Sequence, residues 1–412
     1  MSQDIDQGID PEENPQEDLG WLKHLQKNSW EPEVIMSGII LAFIFAFPSQ
    51  VFDFSVRLMQ DGGLNFLGAW LILIYLSSII NVFKIFLVAH LVLRFAWTGV
   101  LGLSYAFPHG VIKEKLFKIS QNYEYAKPLD MVIRLEKVCS MSFAIPLMFA
   151  FAILPITLFL SLLLLIYKWF DLDFFTVYLI FLGSVLVLTF TMLLTKEAGW
   201  KKRFTKTIFG SIQAIYQSNL GKWATPLYVF FIFVVSIPLI LADTKGFHMY
   251  SNTTNLSGDD LLWSDKSLYF ESYLKDDQRF PRVLLSDDNT AQNEIRIFIA
   301  YYPLDEKTVR LLKSRYSVTL DTLGWHQVQE PIDLFRFYLN GSEVHVAKWE
   351  KSKMPFTNQR VFEGYLDLKG VSAGIQDLRI EKLMVLEKFL FLPEIPKLRE
   401  NWAKFNFYKT KK

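Results

Sequence analysis

Three basic side chains interrupt a long apolar stretch of this chain: Lys84, His90 and Arg94. On a helix, His90 and Arg94 stand four residues apart and share a face, while Lys84 points elsewhere. An ionisable group at membrane depth is costly, and the chemistry that justifies one is a proton or ion path, or contact with an anionic ligand. The competing reading has Lys84 snorkelling to the inner interface, with His90 and Arg94 beyond it against lipid phosphates. If a span opens at Leu64 and roughly 20 residues fill the bilayer core, Lys84 falls at the inner edge, so the interfacial reading is preferred. Together with His109, the face of His90 and Arg94 would also suit a membrane enzyme acting on a lipid-linked substrate at the inner interface. Lys84, His90, Arg94 and His109 are therefore the candidate functional residues, placed at the membrane interface.

Other chemistry is hard to assemble from this sequence. It contains no phosphate-binding Gly-rich loop, no His-Glu-x-x-His, no Gly-x-Ser-x-Gly and no calcium loop. His24, His90, His109, His248, His326 and His345 include no pair three or four residues apart, so no metal site is expected. One cysteine, Cys139, excludes an intrachain disulfide framework. No catalytic residue and no cofactor is assigned. The formal net charge of +1 gives no electrostatic reason to expect nucleic acid as a partner.

The elements that carry these residues follow from the apolar pattern. Of the 412 residues 51% are hydrophobic and 16% aromatic, and the mean hydropathy of +0.22 is too apolar for an ordinary soluble enzyme. A spanning helix needs about 20 mostly apolar residues, and five segments qualify: Val34 to Phe54, Leu64 to Phe83, Ser142 to Tyr167, Phe174 to Leu194 and Pro226 to Leu241. The apolar character after Lys84 continues to Phe107, and Asn81 to Lys84 offers no Gly or Pro for a turn. One long helix from Leu64 to about Tyr105 is expected there, in place of a sixth span. The third helix is expected to begin early, at Pro128, because Leu129, Val132, Leu135 and Val138 keep helical spacing into the span.

Lys and Arg in short loops mark the cytoplasmic side. They crowd the loop after the second span (Lys113, Lys115, Lys118, Lys127, Arg134, Lys137) and the loop before the fifth (Lys196, Lys201, Lys202, Arg203, Lys206, Lys222), whereas the opposite loops offer Arg57 and Lys168. The amino terminus is then inside and everything after the fifth span outside. Residues 1–33 read as an acidic, largely disordered tail, with no amino-terminal signal peptide expected, and 34–243 as the transmembrane domain. Helical loops at 84–138 and 195–224 are cytoplasmic in this reading, with amphipathic pieces around Val111 to Ile119 and Ile208 to Tyr216 along the inner leaflet. Residues 244–262 read as a linker, 263–386 as an extracytoplasmic domain and 387–412 as a carboxy-terminal tail.

In 263–386 the period changes to two. Ser267 to Leu274, Arg279 to Leu285, Glu294 to Tyr302, Ile332 to Leu339, Val344 to Trp349, Arg360 to Leu368 and Gln376 to Val385 read as strands, with a helix at Asp305 to Arg315. Short strands with turn signals between them predict an all-β sandwich, immunoglobulin-like or jelly-roll-like. The firmest local signal is Asn340-Gly341, a tight hairpin turn. Trp263, Trp325 and Trp349 could form a binding face, although aromatics at alternate strand positions more often fill a core. Asn252, Asn255 and Asn340 begin N-glycosylation triplets, which carry no meaning in a bacterial protein.

The expected whole is a polytopic α-helical membrane protein, about five spans, that presents the sandwich as a binding or assembly module. Its partners are then the bilayer and other proteins of a membrane complex, and its place the bacterial inner membrane with the sandwich in the periplasm. A channel or transporter using Lys84, His90 and Arg94, or the lipid-acting enzyme above, are the alternatives.

Overall fold

The computed structural model describes residues 30–170, 172, 174–195, 199, 203, 206–255, 265–316, 324, 325, 328–386 and 395–411. The expectations for the tail before residue 30, for His24, Trp263 and His326, for most of the basic cluster Lys201 to Lys206 and for the apolar Phe389 to Leu392 lie outside them.

Among the described residues the longer helices of the amino-terminal region are α1 (Trp30–Gln60), α2 (Phe66–Ala106), α3 (Pro128–Trp169), α4 (Phe174–Leu194), α5 (Ile208–Leu220) and α6 (Ala224–Asp243). Among the described residues four stretches are long and apolar enough to cross a membrane: Val34–Gln60, Phe66–Ala106, Pro128–Trp169 and Ala224–Asp243. Helix α4, at 21 residues, coincides with the expected fourth span, and its described apolar part is Thr176–Thr191. The single long helix expected from Leu64 is present as α2, because nothing between Asn81 and Lys84 breaks a helix. Its start is capped by Asn65, whose Oδ1 accepts from the Gly68 N–H at 2.8 Å. Pro128 opens α3, where its fixed φ suits the first turn and its missing N–H has no partner to lose.

The chain divides into two compact units. One contains the α1 residues up to Phe45 together with Lys84–Leu147. Its apolar core joins Trp97 on α2 to Val132 and Cys139 on α3. The segment between these helices forms two short turns, Lys113–Lys115 and Lys118–Gln121, with Val111, Ile112 and Ile119 exposed.

The other unit, Ala46–Phe83 with Met148–Lys412, contains the β domain. Strands β1 (Val283–Leu285), β2 (Asn289–Thr290) and β3 (Glu294–Ala300) precede helix α7 (Pro303–Arg315). Then come β4 (Phe335–Leu339), β5 (Ser342–Val344), β6 (Val346–Lys353), β7 (Arg360–Asp367), β8 (Gly374–Leu386) and β9 (Ile395–Lys409). They form a four-stranded antiparallel sheet, β1-β3-β7-β6, and a five-stranded mixed sheet, β2-β9-β8-β4-β5. One core lies between them, with Ile297, Ile299 and Leu366 from the first sheet and Leu378, Ile380 and Phe337 from the second. The expected hairpin is a two-residue turn: Leu339 faces Ser342, and Asn340 and Gly341 both take positive φ, 52° and 83°.

Three segments differ from expectation. Ser267 to Leu274 is not a strand but two 3-10 turns, Lys266–Leu268 and Glu271–Tyr273, started by Asp265, whose side chain accepts from the Ser267 N–H. Residues after Asp243, read as a linker, are packed: Phe247, Met249 and Tyr250 belong to the core of the β domain. Ile395–Lys409, read as part of a tail, is the longest strand and lies between β8 and β2. Its alternation is clean only from Phe405 onward, and Pro396 with the charges at Lys397, Arg399 and Glu400 disguises the rest.

Candidate functional site

In the helical region the structure brings His90 and Arg94 together on the face of α2 that meets α3. His90 is fully buried, its Nδ1 3.2 Å from Ser142 Oγ and its ring 5.1 Å from that of Phe143. Arg94 is 2% exposed, donates to Glu136 Oε2 at 2.9 Å and lies over the Trp97 ring at 5.7 Å. A guanidinium can be kept out of water when a carboxylate compensates its charge, and Glu136 does so from the opposite helix. Lys84 sits on another face, with Nζ 5.1 Å from the centre of the Phe45 ring. Phe45 stands near the middle of the apolar run Val34–Gln60. His109 is exposed in the turn after α2 and does not join His90 and Arg94.

The second unit holds a larger polar assembly that sequence reasoning missed. At the end of α1, Gln60 is buried and its amide donates to the Phe280 carbonyl at 3.0 Å. Next to it Asp61 pairs with Arg279 at 2.7 Å, and Arg279 also donates to the Thr357 carbonyl at 3.1 Å. Gln359 holds the buried Phe280 backbone from both sides, accepting from its N–H at 3.1 Å and donating to its carbonyl at 2.8 Å. Tyr250 donates to the Arg279 carbonyl and Tyr302 to the Pro281 carbonyl, each at 2.6 Å. Burial holds both phenols well above their ordinary range, so they remain neutral donors. Helix α1 is thereby fastened to the β domain by buried hydrogen bonds of Gln60 and by an ion pair whose Asp61 carboxylate stays exposed.

A few residues away, Lys382 is completely buried on β8. Its ammonium donates to both oxygens of Asp305, each at 2.8 Å, and to Asn252 Oδ1. Asn252 in turn donates through Nδ2 to Asp305 Oδ1 at 3.0 Å. Aromatic rings of Phe335, Trp402 and Tyr302 enclose the Nζ at 4.8, 5.1 and 5.8 Å. Burial pushes the Lys382 ammonium down from its ordinary value, and Asp305 opposes that shift. Arg282 completes the surroundings with bonds to the Met249, Thr254 and Trp402 carbonyls. One signal was present in the sequence. Period-two alternation places Lys382 on the same inward face as Gln376, Leu378 and Ile380.

Of the aromatics considered for a binding face, Trp325 is 5% exposed beneath Arg336, and Trp349 is half-buried with its ring 5.6 Å from that of Phe337. Among the described residues no three His, Cys, Asp or Glu side chains gather as a metal site. No protein-family model matches the chain, and no curated protein or solved structure matches it either.

Proposed function

We propose that this is an inner-membrane protein of bacterial type whose helices carry the β-sandwich on the periplasmic side, as a recognition and assembly module within a membrane complex. What supports this reading is the junction of Gln60, Asp61, Arg279 and Tyr302. A module that merely hangs from a membrane anchor needs no buried polar contact with it, whereas one that must present a surface at a fixed angle does. The charge bias of the helix-connecting loops supports the side on which the module lies. The fold itself names no ligand.

The channel or transporter reading keeps one observation in its favour, the buried His90, Arg94 and Glu136 between two long helices. Arg94 and Glu136 neutralise each other, which suits a lock on helix register better than a path for charge.

The test is the native mass of the particle in mild detergent. The full chain is expected in an assembly well above 48.0 kDa, and a chain ended after Asp243 outside it. A full chain that runs as a single copy would contradict the assembly role.

A further inference from the structure

We propose that Lys382 and Asn252 become joined by an isopeptide bond, made by the β domain itself with Asp305 as the catalytic residue. The proposal goes beyond the module's role in assembly and does not depend on it.

The geometry supplies what such a reaction requires. The nucleophile is Lys382 Nζ and the electrophile is Cγ of Asn252. Nζ hydrogen-bonds to Asn252 Oδ1, the oxygen bonded to that carbon, so nucleophile and electrophile are held side by side. Asp305 touches both reactants, 2.8 Å from Nζ and 3.0 Å from Asn252 Nδ2, the atom that must leave. All three side chains are enclosed: Lys382 is 0%, Asp305 3% and Asn252 8% exposed. With the rings of Phe335, Trp402 and Tyr302 around them, water is excluded from competing. Burial also favours the uncharged amine, the only form of Lys382 that can attack.

The step balances without an outside reagent. The Lys382 ammonium passes a proton to the Asp305 carboxylate, leaving a neutral amine beside a carboxylic acid. The amine lone pair adds to Cγ of Asn252, and the new C–N bond generates a tetrahedral centre. Asp305 protonates Nδ2 and takes up the proton that the attacking nitrogen sheds. The Cγ–Nδ2 bond breaks and ammonia departs, carrying one proton as ammonium. Asp305 returns to its carboxylate form. Asn252 is preferred to Asp305 as the acceptor because a carboxylate already paired with the amine is a poor electrophile.

The position gives the bond a purpose. Asn252 follows α6 and the packed turn Phe247–Tyr250, while Lys382 lies on β8, in the middle of the five-stranded sheet. The bond would close a loop of 130 residues and fasten the β domain covalently to the chain leaving the membrane helices. Cys139, the chain's one cysteine, lies on α3, so a disulfide within the β domain is not an option.

The test is peptide mass analysis of the full-length protein, purified from membranes, reduced, denatured and digested with trypsin. The expected result is a branched species in which the peptide containing Asn252 is joined to the one containing Lys382, lighter by one ammonia than the two together, with no cleavage after Lys382. Lys382→Arg, which keeps a buried cation but cannot form this bond, should yield the Asn252 peptide unbranched. Asp305→Ala should leave both residues unjoined. Recovery of free, unmodified peptides from the wild-type chain would overturn the proposal, as would a branch to Asp305 with loss of water. A full yield of the branched species in Asp305→Ala would overturn the role given to Asp305.

Discussion

Arg279 reaches from the β domain to Asp61 at the end of the first membrane helix, Nη2 to Oδ2 2.7 Å, and is itself only 6% exposed. The same Nη2 also donates to the Thr357 carbonyl and Nη1 donates to Gln60 Oε1, so one side chain ties the helix end to the β domain. Hydrogen bonds to a charged group are worth about 1.5–3 kcal/mol each. Arg279→Met is therefore expected to lower the stability of the β domain by roughly 2–3 kcal/mol. Urea unfolding in detergent, followed by tryptophan fluorescence, measures it, and an unchanged midpoint would mean the junction contributes nothing.

Glu136→Gln takes the carboxylate from Arg94 while leaving the guanidinium buried. Breaking one side of a fully buried pair destabilises by about 3–5 kcal/mol, and less is expected here because Glu136 is 38% exposed, whereas replacing both sides with apolar residues is often neutral. The double variant Arg94→Leu with Glu136→Leu should thus be more stable than Glu136→Gln alone, as read from thermal unfolding. If the double variant is as unstable and also loses a transport activity, the pair carries function and not helix register.

Gly341 takes φ of 83° in the hairpin turn, a conformation that a Cβ opposes. Gly341→Ala is expected to lower β-domain stability by about 1 kcal/mol, with Asn340→Gly changing it less. Equal effects from the two substitutions would argue that the turn does not set the register of β4 and β5.

The charge bias of the loops fixes the expected topology. Alkaline phosphatase fused after Asp243 should be active, and the same enzyme fused after Lys206 inactive. The reverse pattern would place the β domain in the cytoplasm.

The parts of the fold legible in the sequence are those where one local rule decides. A lipid-facing helix must be apolar over its length, so the helices from Trp30 to Asp243 stand out, and the absence of a breaker at Asn81 to Lys84 correctly implies one long helix. Alternation reveals Glu294–Ala300 and Arg360–Asp367, and Asn340-Gly341 fixes a turn. The junction could not be read because Gln60 and Arg279 lie 219 residues apart and each alone resembles an ordinary surface side chain. The same holds for Lys382 and Asp305, 77 residues apart. Strand Ile395–Lys409 is hard to read because its first half, paired with β8, has no apolar alternation to announce it.

The central claim is that the β domain is held at a fixed angle on the membrane helices, and a distance distribution tests it most directly. Spin labels at Arg57, exposed on α1, and at Lys351, exposed on β6, would report the separation between helix end and sheet in lipid, with Cys139 replaced by Ala. A single narrow distribution, broadened by Arg279→Met, is the predicted result. A broad distribution in the otherwise unaltered chain would show a module swinging on a tether, and the account would fail.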